Sequence, residues 1–143
     1  MSGHDSYSDE KIAAILRSVK HIALVGASPK PERPSFRVMQ FLLSKGYDVV
    51  PVNPGMEGKK IHGRQVFARL AEVEGPIDMV DVFRASEYLP GVVDEVLQLD
   101  PRPKVIWTQL GVRDDAAAAK AEAEGLDIIM DRCPAIEYPR LIG

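Results

Sequence analysis

The segment Val25-Gly26-Ala27-Ser28-Pro29-Lys30-Pro31-Glu32-Arg33-Pro34-Ser35 follows a short apolar run, Ile22 to Gly26, and leads into a helix that begins at Ser35. A loop that runs into a helix N-terminus meets free backbone N–H groups and the positive end of the helix dipole. Both favour an anion, most often a phosphate. Gly26 lets a ligand approach the main chain closely, and small Ala27 and Ser28 keep that approach open. Arg33 can pair with phosphate oxygens, and Ser35 can cap the helix or donate to them. The same residues also fit a surface loop stiffened by Pro29, Pro31 and Pro34 that holds no ligand.

A dinucleotide would ask for more. The NAD fingerprint is G-x-G-x-x-G with an acid about 20 residues later on the ribose hydroxyls. Here Gly26 is followed by alanine, serine and prolines, and the second apolar run ends in Val52-Asn53-Pro54 with no acid at its tip. Both halves of the fingerprint are missing. His62, between Ile61 and Gly63, has no second histidine or patterned carboxylate near it, which speaks against a metal. His21 reads as structural, and Trp107, inside an apolar run, as core. The lone Cys133 reads either as a small buried hydrophobe or as a thiol activated by the adjacent Arg132.

These residues need elements to position them. Ile12, Ile15, Leu16 and Val19 recur at helical spacing, so a helix is predicted over Ser8–Ser18, after a polar and mobile tail from Ser2. Ile22–Gly26, Tyr47–Val52, Ile77–Phe83, Lys104–Thr108 and Leu126–Met130 read as five strands. Continuous apolar runs of this kind suit strands covered on both faces. Between them fall helices from Ser35 to the stop at Gly46, over Pro90–Leu99 and over Asp114–Glu124. Met56–Gly63 reads as loop, Val66, Phe67 and Leu70 as a short helix, and Asp131–Gly143 as a tail over the surface. Strands alternating with helices imply an α/β fold: one parallel sheet of five strands, order 3-2-1-4-5, with helices on both faces. Ligands in such sheets lie at the carboxyl ends of the strands, beside the point where the order reverses.

With 143 residues the chain is the size of one domain, long enough to bury a core without metal or disulfide. Eighteen Lys and Arg against 21 Asp and Glu give a net charge of −3, a poor basis for nucleic-acid binding. No run approaches the ~20 apolar residues needed to span a bilayer. The single cysteine and the polar, acidic first ten residues point to a reducing, cytoplasmic setting without a signal peptide.

Val25-Gly26-Ala27-Ser28-Pro29, Val52-Asn53-Pro54, Trp107-Thr108-Gln109-Leu110-Gly111 and Asp131-Arg132-Cys133-Pro134 each come at the end of a predicted strand. In that order they resemble the small stand-alone CoA-binding proteins, which are similar to the CoA-binding domain of the succinyl-CoA synthetase alpha subunit. The resemblance runs from about Lys20 to Leu141. It implies a Rossmann-like CoA-binding domain over 20–143, with residues 1–19 a tail and helix packed on it. It also implies that Gly26, Ala27, Ser28, Arg33 and Ser35 face the pyrophosphate. Asn53 and Pro54 would edge the adenosine half, Phe83 and Arg84 would lie beside the adenine or its 3′-phosphate, and Gln109 and Gly111 would line the pantetheine path. Cys133, if it borders the crevice, would meet the CoA thiol and could form a mixed disulfide. The expected function is binding of coenzyme A or an acyl-CoA as a small-molecule ligand, without catalysis, nucleic acid or membrane, with a homo-oligomer or a synthetase-like partner as the protein partners it could take. Two alternatives stand beside it: a CoA-binding subunit of an acyl-CoA synthetase type enzyme with a separate partner, and a nicotinamide- or flavin-binding regulator on the same fold.

Overall fold

A computed structural model describes residues 3–143. The five predicted strands form one parallel sheet: β1 (His21–Val25), β2 (Asp48–Val52), β5 (Met79–Val82), β6 (Val105–Thr108) and β7 (Asp127–Ile129). Five helices accompany it: α1 (Asp9–Ser18), α2 (Pro34–Ser44), α3 (Leu89–Leu97), α4 (Asp115–Ala123) and α5 (Pro134–Leu141).

Strand side chains divide strictly by parity. Ile22, Leu24, Met79, Val105, Trp107 and Ile129 face α1, α2 and α5, whereas Ala23, Val25, Val80, Val82, Ile106 and Ile128 face α3 and α4. Both faces are therefore covered, as the unbroken apolar runs require. Each fully buried Leu, Ile or Val contributes about 1.5–3 kcal/mol.

The strand order is β2-β1-β5-β6-β7, not the expected 3-2-1-4-5. In sequence order of the five strands it reads 2-1-3-4-5: the third strand enters beside the first. All four residues of β5 are buried, which only an interior position supplies, while the half-buried Asp48 and Val50 suit β2 to the edge. The reversal thus falls between β1 and β5, and the loops leaving those two strands open onto it.

Three further segments depart from expectation. Lys60–Ile61 (β3) and Arg64–Gln65 (β4) pair as a small antiparallel hairpin in place of the expected loop. Its turn residues His62 (φ 49°) and Gly63 (φ 78°) are both left-handed, as a two-residue hairpin demands. Val66–Leu70 forms no helix: Phe67 bridges to Val52, and a 3₁₀ turn, Leu70–Glu72, comes after it. The carboxyl tail contains α5, which begins with Pro134 at its first turn and packs Tyr138 and Leu141 on the core.

Side chains cap α1 and α4, whereas Ser35 lies inside α2 and Arg33 takes its cap position. Ser8 accepts the Lys11 N–H at the start of α1, and Asp114 accepts the Ala117 N–H at the start of α4. The predicted mobile tail begins at Ser2, which lies outside the described residues. From residue 3 on it is tied down: the Tyr7 hydroxyl accepts the Met130 N–H at 2.9 Å, and Asp5 pairs with Arg113 at 2.8 Å.

Candidate functional site

The carboxyl ends of β1, β2, β5 and β6 enclose a crevice of about 420 Å³. Its first wall is the loop after β1. Gly26 takes φ 87°, and a Cβ there would stand 2.8 Å from the Phe83 carbonyl oxygen. Only glycine allows β1 and β5 to turn away from the sheet this close together. Gly26 N–H donates to the Val52 carbonyl at 2.9 Å. The Ser28 hydroxyl accepts the Lys30 N–H at 3.2 Å, shaping the loop from within. Asn53 ties the second wall to the first: its Nδ2 donates to the Ala27 carbonyl at 2.8 Å, and its Oδ1 accepts the Gly55 N–H at 3.0 Å.

The loop ends where α2 begins, with Arg33 at the cap and Pro34 at the first position. No side chain caps this helix, and its first turn holds no acid. The positive end of its dipole therefore faces the crevice without a compensating side chain. Lys30, Arg33 and Arg84 line the crevice, and none of the three pairs with a carboxylate among the described residues. The lining contains no Asp or Glu. In a chain of net charge −3, a cationic concavity of this kind is suited to an anion.

The third wall is the loop after β6. Thr108 Oγ1 donates to the Val112 carbonyl at 2.6 Å and accepts the Asp131 N–H at 3.1 Å, while Asp131 Oδ1 accepts the Gly111 N–H at 2.7 Å. Asp131 holds a left-handed φ of 59°, an uncommon conformation outside glycine and one that aims its carboxylate at this loop. The loop so held presents Gln109, whose Oε1 is buried with no hydrogen-bond partner, and Leu110, which is 52% exposed. An orphaned acceptor in a pocket wall calls for a donor on the ligand.

Of the residues expected at the site, Gly26, Ala27, Ser28, Arg33, Ser35, Asn53, Phe83, Arg84 and Gln109 line this crevice. Pro54 lines an adjoining lobe of about 520 Å³ that shares Gly26, Asn53, Phe83 and Arg84 with it. Gly111 is not in the lining; it lies in the turn behind it, held by Asp131. Cys133 is elsewhere: it is buried in the core face with Trp107 and Ile129, at the cap of α5. Arg132, expected to act on that thiol, instead lies over the Tyr7 ring at 5.1 Å and donates to the Asp131 carbonyl. Lys30, Leu110 and Val112 also line the crevice. Lys30 is legible as a cation in the same loop, whereas nothing in the sequence marks Leu110 as exposed.

One buried group answers to no partner. Asp81, level with Leu24 and Trp107 in the sheet, is fully buried, and neither carboxylate oxygen has a hydrogen bond. Burial pushes its pKa well above the ordinary carboxylate value. At the opposite end of the sheet, His21 Nδ1 meets Asp48 Oδ2 at 2.9 Å and Arg64 pairs with the same carboxylate, which gives His21 a structural part.

The family model for the CoA binding domain matches residues 20–139. The chain belongs to the CoA-binding domain family. The protein YneT of Bacillus subtilis (strain 168) is 40% identical to this CoA-binding domain protein over 126 residues, 88% of this chain and 90% of YneT. Acetate–CoA ligase [ADP-forming] I subunit alpha of Pyrococcus furiosus is 30% identical over 80 residues, 53% of this chain but 17% of that subunit. Among solved structures, a hypothetical protein from Pyrococcus horikoshii OT3 superposes with a TM-score of 0.90 at 40% identity, covering 97% of this chain and 95% of its own. No helix among the described residues is long and apolar enough to cross a membrane.

Proposed function

We propose that the protein binds coenzyme A or an acyl-CoA in the crevice at the carboxyl ends of the strands and carries out no reaction on it by itself. The observation that carries this reading is the set Lys30, Arg33 and Arg84, converging without any carboxylate beside an uncapped helix start. The diphosphate would lie against the loop Gly26–Ser28, the amides at the start of α2, Arg33 and Ser35. The adenosine half would take the lobe edged by Asn53, Pro54 and Phe83. The arm would run along the loop after β6, where Gln109 Oε1 can accept a pantetheine amide N–H and Leu110 offers apolar contact. Three cations also suit CoA better than NAD, because the 3′-phosphomonoester adds about −1.5 to −2 of charge at neutral pH.

A thermal-shift panel tests this. A ligand that binds only the folded chain at a hundred times its Kd stabilises it by about 2.7 kcal/mol. CoA should raise the melting temperature while NADH and FMN leave it unmoved; a shift with NADH and none with CoA refutes the reading. The likeness to a ligase alpha subunit supports a second reading, in which a separate partner supplies the chemistry. Co-purification of such a partner, with CoA-dependent nucleotide turnover only in the mixture, would establish it.

A further inference from the structure

Arg84 is held in an unusual way. Its stem crosses Gly26 so closely that a Cβ there would stand 3.1 Å from Arg84 Cγ. Its guanidinium lies over the Tyr88 ring, 4.3 Å from the centroid. Beyond that stack, the side chain has no hydrogen bond or ion pair among the described residues. The intervening turn makes the stack: Tyr88 N–H donates to the Ala85 carbonyl at 2.9 Å, closing a 3₁₀ turn that brings position 88 under position 84. Ser86 in that turn accepts the Arg113 N–H at 2.9 Å, fastening it to the opposite wall. Tyr88 itself is 48% exposed and does not line the crevice, so neither core packing nor ligand contact accounts for it.

Position adds meaning. Arg84 lines both lobes of the crevice, and among the described residues it is the one cation lining the lobe at Asn53–Gly55; Lys30 and Arg33 line the lobe at the α2 start. A guanidinium stacked on its face still offers its N–H edge to an anion, and fixing it beforehand lowers the ordering cost of binding.

We propose that Tyr88 is a positioning residue that holds Arg84 at the seam between the two lobes, where Arg84 pairs with the 3′-phosphate of the bound nucleotide. This rests on the CoA reading above and adds to it a device for telling CoA from its 3′-dephosphorylated form.

The test is titration calorimetry of the full chain with CoA and with dephospho-CoA, for the wild type, Tyr88→Ala, Tyr88→Phe, Arg84→Ala and the double variant. Tyr88→Ala weakens CoA about two- to fivefold, the size expected for an exposed cation–π contact, and leaves dephospho-CoA unchanged. Tyr88→Phe keeps the ring and binds CoA like the wild type. In the Arg84→Ala background, Tyr88→Ala changes nothing further. The proposal falls if Tyr88→Ala binds CoA as the wild type does, if it weakens both ligands equally, or if its effect persists without Arg84. A wild type that takes up neither ligand removes the CoA reading itself, whereas one that binds CoA with an indifferent Tyr88→Ala removes only this proposal.

Discussion

Asp81→Asn should stabilise the protein, and by more as the pH rises. Asp81 is open to water in the unfolded chain, where it ionises near pH ~3.9, but in the folded sheet it is shut between Leu24 and Trp107 with no partner for either oxygen. Its folded pKa is raised, so above the unfolded value the native state holds one proton more than the unfolded state. Stability then falls as pH rises, by about 1.4 kcal/mol per unit for as long as the folded group stays protonated. This is the reverse of Asp48, whose pKa is lowered by hydrogen bonds from Arg64 and His21 and which contributes stability above its unfolded pKa that is lost on acidification. Asparagine has the same shape but does not ionise. Above pH ~4.5 the advantage of Asp81→Asn over the wild type should therefore grow by about 1.4 kcal/mol for each pH unit over which the folded carboxyl keeps its proton. At roughly 3 °C per kcal/mol for a chain of this length, that is about 4 °C in Tm per pH unit. Urea unfolding of both proteins across this range measures it. A difference that stays flat with pH would show that the carboxyl titrates alike in the folded and unfolded states, and the reasoning from burial would be wrong.

The crevice sets further expectations. Arg33→Ala should weaken CoA binding by ~1.5–3 kcal/mol, the worth of a charge-assisted hydrogen bond, and an unchanged Kd in a titration would put Arg33 outside the contact. Gly26→Val should cost about 2 kcal/mol or more in urea unfolding, because φ is 87° and the new Cβ would press on the Phe83 carbonyl at 2.8 Å; an unmoved midpoint would contradict that geometry. Asn53→Ala removes the bonds to Ala27 and Gly55, and should destabilise the chain by ~1–2 kcal/mol while loosening the nucleotide end of the crevice, read as a lower melting temperature and a higher Kd for CoA together. CoA affinity should fall as salt rises, since Lys30, Arg33 and Arg84 line an open crevice; a Kd indifferent to ionic strength would deny them a part.

Much of this arrangement is legible in the residues. The apolar runs ending at Gly26, Val52, Phe83 and Thr108 announce strands covered on both faces, and the loop leaving each run lines the crevice. Strand order is not legible in the same way. Pairing of β5 with β1 instead of β2 depends on which strands exclude water from both sides, and the run Met79-Val80-Asp81-Val82 carries a charge-type residue that disguises how deeply it is buried. Pro139 hides α5 because proline argues against a helix, yet it falls near the end of this short one, where little hydrogen bonding is lost. The β3–β4 hairpin turns on His62-Gly63, and histidine is not a residue that signals a left-handed turn. The motif around Cys133 points toward the crevice, but the chain turns at Asp131 and buries the thiol beneath. Tyr88 carries no sequence signal at all, because its contact with Arg84 exists only through the turn between them.

On this reading Lys30, Arg33, the loop at Gly26 and the start of α2 together hold the diphosphate of coenzyme A, while Arg84 meets its 3′-phosphate. A crystal structure of the protein grown with CoA tests that most directly. The expected result is density for the diphosphate against Ser28, Arg33 and Ser35, with the arm passing Gln109. Density for CoA anywhere else on the molecule, or a crevice without CoA at saturating concentration, would contradict it.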